Sequence, residues 1–175
     1  MAHLGAGGRG GGAAAPSGNR LANGGFEGDA VDFAGDGLLM MPAGWSPWWV
    51  DQPDGCEGLR PEFNVSEEAH EGAQAATVFA EAHSFTGGLY QAVSVPRGAT
   101  VTFSAWGYAT TGGADSITEM RIGVNPGGGF NPLADNVVWS EPLDASKGYV
   151  QFEVTAVAQS DRVTVFTWTH PGACA

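Results

Sequence analysis

The chain has 175 residues, the size of one domain, which is enough to bury a hydrophobic core without requiring disulfides or a metal. Its formal net charge is −12, with 7 Lys plus Arg against 19 Asp plus Glu. This acidic field repels phosphate groups and therefore disfavours nucleic acids and anionic membrane surfaces as partners. The sequence also contains no run of about 18 apolar residues, so we predict no membrane insertion.

The N-terminal segment, residues 1–18, is rich in Gly and Ala and offers almost nothing to bury. We therefore predict a disordered tail or linker over residues 1–18 and a folded module over residues 19–175. The segment has no basic stretch followed by an apolar one, so no signal peptide is visible. Beyond it, Phe26 follows a turn at Asn23-Gly24-Gly25 and is a candidate core anchor.

The clearest strand patterns lie between Gly87 and Tyr108, where side-chain character alternates with the period of two expected of half-buried strands. One face carries Leu89, Gln91, Val93 and Val95, and after a break the same kind of apolar face continues with Val101, Phe103, Ala105 and Gly107. The break is Pro96-Arg97-Gly98, which is typical of a tight connection between antiparallel strands. We predict a β-hairpin here.

Further alternating segments follow, over residues 120–124, 137–140, 149–158 and 162–170, with a long Gly- and Asn-rich loop over residues 125–136. Together with the earlier segments they make about eight antiparallel strands. The sequence therefore predicts an all-β fold, a jelly-roll β-sandwich.

Four stretches resemble a known family: NGGFEG at 23–28, PAGW at 42–45, GGLYQAVSVPRGATVTFSAW at 87–106 and RIGVNP at 121–126. In their order and spacing they are similar to the galactose-binding-like jelly rolls of bacterial carbohydrate-binding modules, over most of residues 19–170. The resemblance implies a non-catalytic module, extracellular or at the cell surface, within a larger multidomain chain. Its expected partner is a polysaccharide or another glycan.

The same resemblance implies one structural calcium ion. Glu27 matches the carboxylate that helps to bind Ca²⁺ in such modules, since Ca²⁺ requires hard oxygen ligands. A second ligand usually comes from an Asp in the final strand. The sequence ends at Pro171-Gly-Ala-Cys-Ala, where that strand is expected. We therefore expect the final strand to be missing and one sheet edge to be open to another chain.

The candidate ligand site consists of outward-facing aromatic residues with polar neighbours. Trp106 and Tyr108 occupy the polar face of a central strand, where sugar rings stack on aromatic faces. Gln91, Arg121 and Glu153 are the candidate groups for binding sugar hydroxyls. The alternative is that Trp106 and Tyr108 lie beneath loops or in the core, and Trp139 and Trp168 carry the same ambiguity.

The sequence does not indicate an enzyme, because it contains no GxSxG, HExxH or Cys/His arrangement. His70 with Glu71 is an isolated pair in a predicted loop. The main alternative to glycan binding is a structural or interaction domain of a larger surface protein, with no small ligand. Cys56 and Cys174 either pair in an oxidising compartment or remain free thiols, and their spacing fits no CxxC motif.

Overall fold

A computed structural model describes residues 2–10, 18–51, 60–80, 85–109 and 118–171, with side chains for all of these except residues 2–10, 118 and 171. These residues form thirteen strands, β1 to β13 in chain order. The strands make an all-β sandwich, which confirms the predicted fold class. No helix in the described ranges is long and apolar enough to cross a membrane.

The first layer of the sandwich is a five-stranded antiparallel sheet with the order β12-β8-β1-β6-β5. Its strands are β1 (Ala2–Gly10), β5 (Glu62–Ser66), β6 (Ala75–Phe79), β8 (Thr100–Ala109) and β12 (Val150–Val157).

The second layer is a six-stranded sheet with the order β10-β9-β13-β7-β4, in which β11 also pairs with β9. Its strands are β4 (Ser46–Val50), β7 (Thr86–Ser94), β9 (Thr118–Asn125), β10 (Val138–Trp139), β11 (Leu143–Asp144) and β13 (Arg162–Pro171). A separate two-stranded ribbon pairs β2 (Ala30–Asp32) with β3 (Met40–Pro42).

The core lies between the two sheets and is built from the apolar faces that the alternation predicts. The five-stranded sheet contributes Phe103, Ala105, Phe152 and Val154, and the six-stranded sheet contributes Leu89, Ile122, Val124, Val163 and Val165. Phe26 is fully buried, as predicted, with its ring centre 5.0 Å from that of Trp45. Burial of each large side chain of this kind stabilises the fold by about 1.5–3 kcal/mol.

The predicted hairpin between Gly87 and Tyr108 is wrong, although both of its strands and their faces are confirmed. β7 belongs to the six-stranded sheet and β8 to the five-stranded sheet, so the two strands do not pair. The turn itself is present, closed by the Ala99 N–H donating to the Pro96 carbonyl at 3.0 Å, and it carries the chain from one sheet to the other. This path places both apolar faces inside the sandwich.

The N-terminal segment also differs from its prediction, because Ala2–Gly10 is a strand rather than part of a disordered tail. All nine residues of β1 pair with β8, and Ala2, His3 and Leu4 also pair with β6. Strands pair through backbone N–H and C=O groups, which glycine also carries. The Gly-rich composition, however, lacks the alternating side-chain pattern that indicates a strand in a sequence. Residues 11–17 lie outside the described ranges.

The position of β1 bears on the expectation of a missing final strand. β1 lies inside the five-stranded sheet, between β8 and β6, and bonds to both. The chain's own N-terminal residues therefore complete the middle of this sheet, whose edge strands are β12 and β5, and the missing final strand stays a prediction. Cys56 and Cys174 lie outside the described residues, so their pairing stays a prediction.

Candidate functional site

The candidate site lies on the outer face of the five-stranded sheet. Trp106 and Tyr108 project from β8 on this face and are half-buried. Glu153, on β12, pairs with Ser104 of β8 and is exposed. Because directly paired residues share a face, Glu153 lies on the same surface as Trp106. The structure thus brings together three of the five predicted ligand residues.

A loop between β5 and β6, residues 67–74, crosses this face; we call it the strap. His70 in the strap stacks on Trp106, with ring centres 3.9 Å apart and planes inclined by 10°. The His70 side chain is 27% exposed, and its Nδ1 lies 3.9 Å from the Glu71 carboxylate. The alternative reading, that a loop covers Trp106, therefore holds for one side of its ring.

Tyr149, just before β12, contacts the strap near its start, at Glu68. Its hydroxyl donates to the Glu68 carbonyl at 2.8 Å, and its ring lies edge-on to His70 with the centres 5.3 Å apart. The Tyr108 ring centre is 5.5 Å from that of Tyr149. Burial, and then the negative charge of Glu68 and the neighbouring Tyr108, raise the pKa of Tyr149 to about 12, so its hydroxyl stays a donor.

Glu27, the predicted calcium ligand, holds the other end of the strap. Its Oε1 accepts a hydrogen bond from the Ala73 N–H at 3.0 Å. Gly72, with φ +78°, packs so closely on this carboxylate that any Cβ at position 72 would overlap it. No group of three or more His, Cys, Asp or Glu residues suited to a metal occurs in the described ranges. Within the described ranges, a Ca²⁺ ion held by Glu27 could therefore have at most one further carboxylate, and its other ligands would be neutral oxygens such as backbone carbonyls or water.

Gln91 lies on β7, in the other sheet, and not beside Trp106. It is 7% exposed and clamps two backbone segments. Its Oε1 accepts from the Ala22 N–H at 2.8 Å, and its Nε2 donates to the Ala22 and Gly44 carbonyls at 2.9 and 2.8 Å. These bonds occupy the donor and acceptor atoms of the amide with backbone groups.

Arg121 lies on β9 and is likewise placed on the six-stranded sheet. Its guanidinium carbon is 4.3 Å from the ring centre of Trp168 and 4.8 Å from that of Trp139. Its Nε lies 3.8 Å from Glu119 Oε1. With Trp48, whose ring centre is 5.2 Å from that of Trp168, these residues form a packed satellite cluster on the outer face of this sheet. Arg121 is thus held by cation–π packing.

A likeness to known proteins is found among solved structures. No protein-family model matches the chain, and a search of characterised proteins finds no match. Among solved structures, the chain is similar to TmCBM61 in complex with β-1,4-galactotriose, with a TM-score of 0.48 and 14% identity over 76% of this chain and 81% of that chain. The galactotriose is the ligand of that module.

Sequence reasoning missed two residues of this face, His70 and Tyr149. His70 is adjacent to Glu71 in a polar loop, a pattern typical of solvated surface, and nothing local indicates a ring stacked on a strand residue about 36 positions later. Tyr149 precedes an alternating segment and is an ordinary strand-end aromatic in the sequence. Only the packing of the strap across the sheet reveals both.

Proposed function

We propose that the chain is a non-catalytic glycan-binding module of the galactose-binding-like type, acting outside the cell or at its surface. The observation that carries the proposal is the gathering of Trp106, His70, Tyr108 and Tyr149 on one sheet face, in contact with each other and partly open to solvent. Aromatic rings offer the flat apolar surface on which the C–H face of a sugar stacks.

Polar groups at the same place suit the hydroxyls of a sugar. Glu153 is exposed on the neighbouring strand, and the Thr102 and Thr155 hydroxyls lie 2.9 Å apart further along the same face. Rings for stacking and a few polar groups for orientation are the usual components of a small-molecule site. This combination favours a sugar over a purely apolar ligand.

The proposal is tested by calorimetry against a panel of soluble oligosaccharides, with Trp106→Ala as the test variant. We expect binding to at least one glycan and a loss of about tenfold or more in the variant, since about 1.4 kcal/mol corresponds to tenfold in affinity. Phe130→Ala is the matched control, because Phe130 is 49% exposed and contacts Tyr90 on the other sheet. Absence of binding to every glycan, or equal loss in both variants, would overturn the proposal.

We extend the proposal to one structural Ca²⁺ at Glu27. The support is the carboxylate of Glu27, the hard ligand that such an ion requires, placed where the chain turns after Phe26. The ion would fix the strap end and the N-terminal turn against each other. A Tm that is the same in Ca²⁺ and in EDTA would overturn this extension.

A second candidate function is an interaction domain, favoured by an apolar tip on the β2–β3 ribbon. Val31, Phe33 and Leu38 there are 54%, 57% and 41% exposed. Clustered exposed apolar residues mark protein contact sites. Light scattering after size-exclusion chromatography separates the two functions, because a glycan-binding species that stays monomeric at high concentration argues against self-association through this tip.

A further inference from the structure

His70 occupies the place on Trp106 that a bound sugar ring would take. Its imidazole is nearly parallel to the indole, with planes inclined by 10° and centres 3.9 Å apart. A pyranose stacked on an indole needs the same parallel approach, because its axial C–H groups face the ring. Two rings cannot occupy one face of Trp106, so stacking on this face requires His70 to leave.

The strap that carries His70 is attached in a way that allows this movement. None of the described core residues comes from residues 67–74, and most of the strap is exposed. One end is tied down by the Glu27–Ala73 bond, and the other by the hydrogen bond from Tyr149 to the Glu68 carbonyl. Segments with few buried apolar contacts open locally more readily than the sheet beneath them.

Opening at the Tyr149 end would release a hydrogen-bond donor beside Trp106. The Tyr149 hydroxyl would exchange the Glu68 carbonyl for a ligand oxygen, so no buried polar group is left unpaired. The surroundings also select the charge of the ligand. Carboxylates of Glu68, Glu71 and Glu153 flank this face, and the whole chain carries −12, which disfavours an acidic sugar.

We infer that His70 is a displaceable occupant of the sugar-stacking face of Trp106, and that the ligand replacing it is a neutral glycan that also accepts a hydrogen bond from Tyr149. The strap thereby sets access to the site. Since the closed form must open before binding, the apparent affinity is lowered by the fraction of molecules that are open. This inference rests on the proposed glycan-binding function.

The test compares His70→Ala with the wild-type chain and with Glu67→Ala, a matched change at an exposed strap residue. The probes are neutral gluco-, manno-, xylo- and galacto-trioses, with tri-galacturonate as the acidic counterpart, measured by calorimetry. We expect His70→Ala to bind a neutral triose at least about threefold more tightly than the wild type, Glu67→Ala to match the wild type, and tri-galacturonate to bind to none of them.

A second pair isolates the Tyr149 donor. In the His70→Ala background, Tyr149→Phe removes both the donor to the ligand and the bond that ties the strap to the Glu68 carbonyl. Because no imidazole competes for Trp106 in either variant, the lost donor decides the result, and binding is expected to weaken by about fivefold or more. Hydrogen exchange of residues 67–74 provides a readout without ligand, and it should be faster in His70→Ala while the β8 amides stay protected.

The outcomes separate this inference from the proposed function. If neither the wild type nor His70→Ala binds any glycan, the proposed function fails. If the wild type binds in a Trp106-dependent manner but His70→Ala binds equally or more weakly, the function stands and the displaceable His70 is refuted. Preferred binding of tri-galacturonate would overturn the neutral ligand class. Unchanged exchange in the strap would also count against the inference.

Discussion

We predict that Gln91→Leu destabilises the fold without acting on the glycan site. The sequence predicted Gln91 as a ligand residue, whereas in the structure it is buried and bonds to backbone groups. Leucine has a similar volume, so the side chain still fills its place on the inner face of β7. What it removes are the three hydrogen bonds to the backbone of Ala22 and Gly44.

The magnitude follows from those bonds. Each of the three part-buried hydrogen bonds contributes about 1 kcal/mol net. The expected loss in the free energy of unfolding is therefore about 3 kcal/mol. For a chain of this size about 1 kcal/mol lowers Tm by about 2–4 °C, so we expect a decrease of about 6–12 °C.

Urea unfolding and calorimetric melting measure this loss, with two companion variants. Ser94→Ala, on the exposed face of the same strand, should be nearly neutral. Gln91→Glu keeps an acceptor for the Ala22 N–H but sets a carboxylate against two carbonyls. The pKa of this carboxyl should therefore be raised in the folded state. Its loss of stability is then smallest at acid pH and grows as the pH rises through that pKa.

A Gln91→Leu variant that melts within about 1 °C of the wild type would refute the structural role of the amide. A variant with unchanged melting but with lost glycan binding would go further. It would restore Gln91 to the ligand site and show that the amide is not needed as a clamp.

Three further predictions concern other parts of the fold. The pKa of Tyr149 is raised to about 12, so one tyrosine should titrate late in ultraviolet absorbance, and this late titration should be absent in Tyr149→Phe. Since the folded pKa exceeds the unfolded one, the stabilisation that this shift gives the fold is complete below about pH 10 and is lost between about pH 10 and 12. Glu27→Gln keeps an acceptor for the Ala73 N–H, so it should melt near the metal-free wild type but show no rise in Tm on adding Ca²⁺. Glu27→Ala should have a lower Tm than the wild type both with and without Ca²⁺. A wild type whose Tm is the same in Ca²⁺ and EDTA refutes the calcium site. Trp48→Phe removes the buried bond from Nε1 to the Thr167 carbonyl, 3.0 Å long, and should cost about 1–2 kcal/mol in urea unfolding; a neutral variant would show that the carbonyl finds another partner.

The local alternation of the sequence was enough to predict which face of β8 and of β12 is buried. In β8, Phe103 and Ala105 are buried and Trp106 and Tyr108 are not, as the period of two requires. A slip of one residue would turn the apolar side chains of β8 to solvent, so the pattern there leaves one choice. In β13, by contrast, Thr164 and Phe166 on the other face are buried along with Val163 and Val165, so alternation alone does not single out its inner face.

The same alternation could not show which strand pairs with which. Both a hairpin and a sheet-to-sheet crossing bury the inner faces of β7 and β8, and the Pro96–Gly98 turn is compatible with either. Nor could it find β1, whose Gly-rich sequence carries no pattern although its backbone pairs with β8.

The sequence by itself therefore determined the all-β class and the inner faces of β8 and β12, and it left open whether Trp106 and Tyr108 face solvent or lie beneath loops. Only the tertiary structure decided that Gln91 and Arg121 belong to the other sheet, and that His70 stacks on Trp106. The physical reason is how far apart in sequence the contacting residues lie. Side-chain periodicity is set by neighbours along the chain, whereas strand pairing and the path of a loop across a sheet depend on contacts between residues far apart in sequence.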